Sequence, residues 1–314
     1  MRRKKRIRLG VVLLVAALIM YNIQLNRSVD LTYHLVSSSE IPTEFDGYTI
    51  AQVSDFHSSE NEKFREEILD AIRASTPDVI VITGDLVDAG AYAREAGDIQ
   101  SGEQEGIPGA SAADFAEELI RIAPVYYIYG NHEMILLDDP DKNPFKVRME
   151  EIGVQIINNR VLLLERDGAT IQLAGIQDPS TLYKDPILAG AGSNTRERTA
   201  AMMEQIAPDI DPQRFTVLLA HRPEYVDLYA RYPVDLVLAG HAHGGQIRLP
   251  FMREGLYAPN QGLLPKYTNG SYRKGALEMI VSRGLGNSIF PFRFLNQPEL
   301  VFLELTNNTN SDKI

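Results

Sequence analysis

The chain has 314 residues, a formal net charge of −11 and no cysteine. Without cysteine, disulfides and thiolate metal sites are excluded, so any metal must be held by oxygen and imidazole nitrogen. Residues 31–314 carry 24 basic against 41 acidic side chains, a surplus that argues against a nucleic-acid grip built from basic patches.

Six of the first eight residues are basic (Arg2, Arg3, Lys4, Lys5, Arg6, Arg8), and residues 9–25 follow as an uncharged, mostly apolar run closed by Arg27. A bilayer-crossing helix needs roughly 17–25 residues, so the run predicts a single transmembrane anchor of minimal length. A cleaved signal peptide is the alternative, but Asn22, Gln24, Leu25 and Asn26 offer no small-x-small cleavage site. A buried core helix is opposed by the six adjacent charges. The excess of Lys and Arg before the run places segment 1–8 in the cytoplasm and the remainder of the chain outside it. Residues 26–43, with Ser37, Ser38, Ser39 and Pro42, read as a polar tether. Residues 44–306 then read as the folded domain and 307–314 as a frayed tail.

Within that domain, apolar runs rich in β-branched residues alternate with helix-like segments, the pattern of an α/β fold. Strands are predicted over 48–54, 78–83, 125–129, 161–165, 170–175, 215–220, 234–239, 277–282 and 300–305. Helices are predicted over 61–75, 112–122, 144–152, 195–206 and 222–230. The acidic, glycine-bearing stretch 97–110 reads as a surface loop.

Five of the strands end on chemistry-bearing side chains: Asp55 and His57, Gly84-Asp85, Gly130-Asn131-His132-Glu133, His221, and Gly240-His241-Ala242-His243. Ligands of open α/β sheets collect beyond the carboxyl ends of the strands, so these clusters are expected to converge. Each has a bland reading alone. Asp85 can cap a helix, Asn131 can occupy a turn, and a lone His221 can be a satisfied core histidine. Five such clusters in order, holding five of the six histidines, point instead to a metal site. Two divalent cations about 3.5–4 Å apart need such hard oxygen and imidazole ligands. If the backbone is extended, residues i and i+2 share a side, which pairs Asp55 with His57 and His241 with His243. Gly244-Gly245 would let the chain turn beside them.

The set Asp-x-His, Gly-Asp-x-x-Asp (Asp85 to Asp88), Gly-Asn-His-Glu, His and Gly-His-x-His resembles the calcineurin-like metallophosphoesterase family over about residues 45–305. The resemblance implies a four-layer α/β/β/α sandwich following the transmembrane helix. It implies that Asp55, His57 and His243 hold one metal, that Asn131, His221 and His241 hold a second, and that Asp85 bridges them. His132 is similar to a non-ligand histidine that donates to the leaving oxygen, with Asp88 and Glu133 orienting neighbours. The implied activity is hydrolysis of a phosphate ester by a metal-bridging hydroxide, with Mn, Fe, Zn or Co as cofactor.

The late segment 282–300 resembles the closing Gly-Leu-Gly-x-Ser-x-x-Pro-x-Arg of membrane-associated bacterial members similar to UDP-2,3-diacylglucosamine pyrophosphohydrolases. That likeness implies a phosphodiester, pyrophosphate or monoester of the cell envelope, with lipid-linked substrates included. Arg283 and Arg293 are candidates for substrate contact or for purely structural roles, and Phe290, Phe292 and Phe294 for strand packing or a lipid-facing rim. A non-catalytic metal-binding scaffold and a nuclease on the same fold are the competing readings, and no feature specifies an oligomeric state.

Overall fold

Two six-stranded sheets organise the chain in a computed structural model that describes residues 2–133, 143–180, 194–287 and 293–307. The first sheet joins β1 (Asp30–Ser38), β14 (Glu299–Asn307), β2 (Tyr48–Val53), β3 (Val79–Ile82), β4 (Val125–Tyr127) and β5 (Gln155–Ile156) in that order. The second joins β12 (Gly270–Lys274), β13 (Leu277–Val281), β9 (Leu236–Ala239), β8 (Thr216–Ala220), β7 (Ala169–Ile176) and β6 (Arg160–Arg166). Strands β2 to β5 run parallel, as do β7, β8, β9 and β13. Their carboxyl ends therefore open on one side of each sheet.

The central strands are apolar on both faces because both faces are covered. Alternate residues enter different cores. Val79, Val81, Val217, Leu219, Leu236 and Leu238 meet between the two sheets. Ile80 and Ile82 face outward onto α2 (Glu62–Ser75), α4 (Ala110–Ile120) and α5 (Pro144–Glu151), with Ile68, Phe115 and Phe145 among their neighbours. Leu218, Ala220, Val237 and Ala239 face the opposite way, onto Met202, Met203 and Ile206 of α6 (Thr195–Ile206). Helix α2 starts where the Asn61 side chain accepts from Phe64 N and buries Phe64, Ile68, Leu69 and Ile72.

The structure departs from the sequence reading in several places. Where a loose tether was expected over 26–43, Asp30–Ser38 forms β1, parallel to β14 along its whole length. Its polar residues alternate with exposed apolar ones because β1 is an edge strand, a pattern that imitates a linker. Part of the stretch read as loop over 97–110 belongs to α3 (Ala89–Ser101), capped by the Asp88 side chain accepting from Ala91 N at 2.7 Å. The helix expected over 222–230 is a 3₁₀ turn, Pro223–Tyr225, followed by a single turn, Val226–Tyr229. Helix α1 (Arg2–Leu25) contains an apolar stretch, Ile7–Leu25, long enough to cross a membrane. Of the proposed tail, Asn307 closes β14, and 308–314 lie outside the described residues, as do Phe290 and Phe292.

Candidate metal centre

The five clusters meet at the carboxyl ends of the two sheets, though not by strand alternation. Strand β2 stops at Val53 and β9 at Ala239, and the side chains beyond them are placed by left-handed backbone. Asp55, His57, Asp85, His241 and His243 have φ of 50°, 52°, 51°, 63° and 46°. Such conformations cost a non-glycine residue on the order of 1–3 kcal/mol each and persist where the surroundings enforce them. Left-handed backbone rather than strand alternation thus brings Asp55 and His57 into one group and sends His241 and His243 to separate ones, as one histidine for each of two ions requires. Gly84, at φ +96°, is required here: a Cβ would lie 2.6 Å from His221 Nδ1. Gly244 and Gly245 also have positive φ, but they make room for the Asn296 side chain and the Gly255 backbone rather than for the centre itself.

Ligand-capable atoms fall into three groups whose members lie within 4.8 Å of one another: Asp55, His57, Asp85 and His243; Asp85, His221 and His241; and His57, Asp88 and His132. Asp85 belongs to the first two, with Oδ2 at 3.9 Å from His57 Nε2 and 3.3 Å from His221 Nε2. Asn131 joins the second through Oδ1, 3.3 Å from His221 Nε2. In the third group His132 Nδ1 accepts from Ala89 N at 3.1 Å.

Burial and charge set the protonation of these side chains. Burial pushes His57 down to about 4, helped by the His132 imidazole. Burial also carries His241 and His243 well below the ordinary range, with His221 and His57 respectively reinforcing it. Three imidazoles thus keep lone pairs available. Burial acts against a charge on His221 as well, but Asp85, Asp55 and Asp178 outweigh it and hold His221 up at about 10. Asp55 is raised to about 6 by burial. For Asp85 burial is outweighed by His221, which holds the carboxyl well below its usual value. A proton on His221 supplies the positive charge these carboxylates demand, and a divalent cation among the same atoms would supply it equally. The mixed carboxylate, amide and imidazole set fits such an ion.

Around these groups the loops are fastened. The Glu133 carboxylate accepts from Asp85 N at 2.9 Å, Val87 N at 3.0 Å and Gly130 N at 2.7 Å, and the Asp85 carboxylate accepts from His132 N at 2.8 Å. Asp88, besides capping α3, has Oδ2 4.0 Å from His57 Nδ1. Arg293 is 1% exposed, with Nη2 3.3 Å from His243 Nδ1 and donating to Gly284 O. Arg283 is instead tied to Asp30 and Glu299 at 2.5 and 3.1 Å, which makes it a clasp between β1 and β14.

A model of the family described as calcineurin-like phosphoesterase matches residues 48–245, a span that includes all five clusters. The chain belongs to this family. The calcineurin-like phosphoesterase is 32% identical over 281 residues to the Bacillus subtilis metallophosphoesterase YkuE, covering 88% of this chain and 85% of the relative. It is 25% identical over 194 residues to the Escherichia coli phosphodiesterase YaeI, covering 62% of each. Among solved structures it is similar to a dimetal phosphatase from Danio rerio, at 12% identity and a TM-score of 0.45, covering 76% of this chain and 88% of that one. The protein is a hydrolase acting on phosphoric esters, with a candidate His and Asp metal-binding cluster.

Two partners of the centre escape the sequence reading. Asn260, from the turn between β10 (Tyr257–Ala258) and β11 (Gly262–Leu263), places its amide 2.8 Å from His241 Nε2. Asp178, two residues past β7, takes Arg222 in a bidentate pair at 2.6 and 3.1 Å and so braces the residue after His221. Asp178 obeys the strand-end rule that found the other clusters. Asn260 lies in an ordinary turn sequence and carries no such signal.

Proposed function

We propose that the calcineurin-like phosphoesterase is a dinuclear, metal-dependent phosphohydrolase anchored in the membrane by α1 and acting on a phosphate ester, with a phosphodiester favoured. The observation that carries this reading is the double membership of Asp85. Its carboxylate faces His57 and His243 on one side and His221 and His241 on the other. Asp55, His57 and His243 would hold one ion, Asn131, His221 and His241 the other, with Asp85 shared. The three cores, alternating with two sheets, support the four-layer α/β/β/α arrangement.

When bound, divalent ions polarise a phosphoryl oxygen and make a water acidic near neutral pH. The chain's own groups supply the remainder. Because Ala89 N donates to His132 Nδ1, the neutral ring carries its proton on Nε2, where it can be given to a leaving oxygen. Glu133 and Asp88 keep Asp85 and the His57–His132 pair in place, and Asp85, Glu133, His57 and His132 are buried while Asp88 is partly exposed.

The diester preference draws on the likeness to a phosphodiesterase. Retention of α1 is supported by Asn22, which is 2% exposed and fastened to the body: its amide donates to Arg293 O at 2.9 Å and accepts from Leu295 N at 2.7 Å. A segment destined for removal has no need of such a buried tie.

The deciding experiment compares wild type with Asp85→Ala and His241→Ala on bis-(p-nitrophenyl) phosphate in added Mn²⁺, alongside metal analysis of each protein. Both substitutions should abolish turnover, and wild type should retain two equivalents of metal. Turnover surviving Asp85→Ala overturns the reading.

A further inference from the structure

Half of the large exposed apolar side chains outside α1, among the described residues, fall within one stretch of sixteen residues. They are Leu249, Phe251, Tyr257, Leu263 and Leu264. Phe251 is fully exposed, and Leu263 and Leu264 are 80% and 68% exposed. Scattered exposed leucines are ordinary, but their concentration on the β10–β11 hairpin and the turn that leads into it points to an interaction surface. The hairpin is ordered by its own backbone: Tyr257 pairs with Leu263, Leu264 N donates to Leu256 O at 2.9 Å, and Leu256 N donates to Ile247 O at 2.8 Å. Its apolar residues are therefore presented outward by a formed structure.

Two contacts say what covers this surface. One runs to the apolar helix. Ile247 bridges to Phe294 and Arg248 N donates to Phe294 O at 2.9 Å, while the residues on either side of Phe294 hold Asn22 in the last turns of α1. A single short segment, Arg293 to Leu295, thus lies between the hairpin and the point where the apolar run ends. The other contact runs to the metal centre, through Asn260 at the tip of the hairpin and His241. Two cations flank the apolar residues: Arg253 over the Tyr272 ring at 5.3 Å and Lys266 over the Tyr267 ring at 5.0 Å. Basic residues and tyrosines bordering an apolar patch suit the headgroup region of a bilayer, where the chain ends stay hydrated and the apolar groups sink.

We propose that the 249–264 hairpin is a membrane-interface platform. It rests the mouth of the centre on the bilayer from which α1 emerges, so that the substrate is a phosphate ester borne on a lipid. This rests on the anchored phosphohydrolase reading above and adds the surface that receives such an ester. The phosphate of a lipid lies at the depth such a platform reaches, beside His241. A water-soluble ester needs no such surface.

The absence of native cysteine allows a direct test with the full-length protein. Phe251→Cys and, as a reference, Glu165→Cys are each labelled with an environment-sensitive fluorophore and reconstituted into phosphatidylglycerol–phosphatidylcholine vesicles. Glu165 is exposed and sits near the β6–β7 turn, at the amino end of β7, away from the centre. The expected result is a blue shift at Phe251→Cys and at least twofold stronger quenching by a headgroup-proximal spin-labelled lipid than at Glu165→Cys. Equal quenching at the two positions overturns the proposal. So does shielding at Phe251→Cys that ignores the lipid quencher and grows with protein concentration, which would assign the hairpin to a second copy of the chain. Depth is read without turnover, so a failure here leaves the hydrolase reading intact. Inactivity toward the soluble diester would strike that reading and leave the depth measurement standing.

Discussion

His57 Nε2 and His243 Nε2 face one another at 3.3 Å inside a buried wall of carboxylates and imidazoles. Both rings are held neutral, and only one nitrogen of such a pair can donate. A cation between them uses both lone pairs and relieves the carboxylates as well. Metal should therefore stabilise the fold. A free concentration one hundred times the dissociation constant adds about 2.7 kcal/mol. That corresponds to a rise in Tm of roughly 5–10 °C for a domain of this size. Scanning fluorimetry with Mn²⁺ and with chelator checks it, and His243→Ala should lose most of the increment. Identical melting with and without metal would show that the facing nitrogens hold no ion.

Glu133 supplies the second prediction. Its two oxygens gather backbone donors from Asp85, Val87 and Gly130, tying the loop after β3 to the loop after β4. Glu133→Ala orphans three buried N–H groups and frees the Asp85 loop to drift. Partners of this kind are worth about 10–100-fold in metal affinity. Calorimetric titration should find that loss in Glu133→Ala and a smaller one in Glu133→Gln, which keeps one oxygen acceptor. Unchanged affinity in the alanine variant would remove Glu133 from any role in the centre.

Much of this was legible before the fold was known, because the same physical event is written five times: an apolar strand ends and a ligand-capable side chain follows. Convergence of Asp55, Asp85, Asn131, His221 and His241 follows from parallel strands alone. The route was not legible. Left-handed φ at five of the site's residues is imposed by tertiary packing, and no local pattern of Asp, Phe and His announces it. Strand β1 was hidden for a related reason: an edge strand with one exposed face looks like a linker until β14, more than 250 residues later, is seen beside it. Asn260 was hidden because its role depends wholly on where a hairpin folds back.

Asp235 offers a test of pH dependence away from the centre. Burial, with Glu40 nearby, raises its carboxyl from 3.8 to about 6, although Thr216 N donates to it at 2.7 Å. A raised folded-state value means that ionisation costs stability. The cost is complete above pH 6 and disappears as the pH falls through 6 toward 3.8. Asp235→Asn keeps an acceptor for Thr216 and removes the cost. Since the side chain is only partly buried, the gain at pH 8 should be on the order of 1 kcal/mol after allowance for solvent screening. Urea unfolding at pH 8, 6 and 4 should show the gain shrinking to nothing at the lowest value. A gain that is constant across this range would place the effect elsewhere than in ionisation.

The pair formed by Asp178 and Arg222 makes the opposite kind of prediction. Both side chains are buried, and Arg222 Nη2 also donates to Ser180 Oγ at 2.5 Å. Two effects compete: desolvation of each charge, and their bidentate attraction. Removing Asp178 leaves Arg222 only Glu224 at 3.5 Å and the Ser180 hydroxyl, and breaking a buried pair costs about 3–5 kcal/mol, whereas replacing both partners with apolar groups is often close to neutral. Asp178→Ala should therefore be strongly destabilising, and Asp178→Ala combined with Arg222→Met should recover much of the loss. Because Arg222 adjoins His221, the single variant should also lower metal affinity, and the double variant should restore stability more fully than it restores binding. Equilibrium unfolding and metal titration on the same three proteins separate the two effects. A double variant less stable than Asp178→Ala would mean that Arg222 is held by contacts other than this carboxylate.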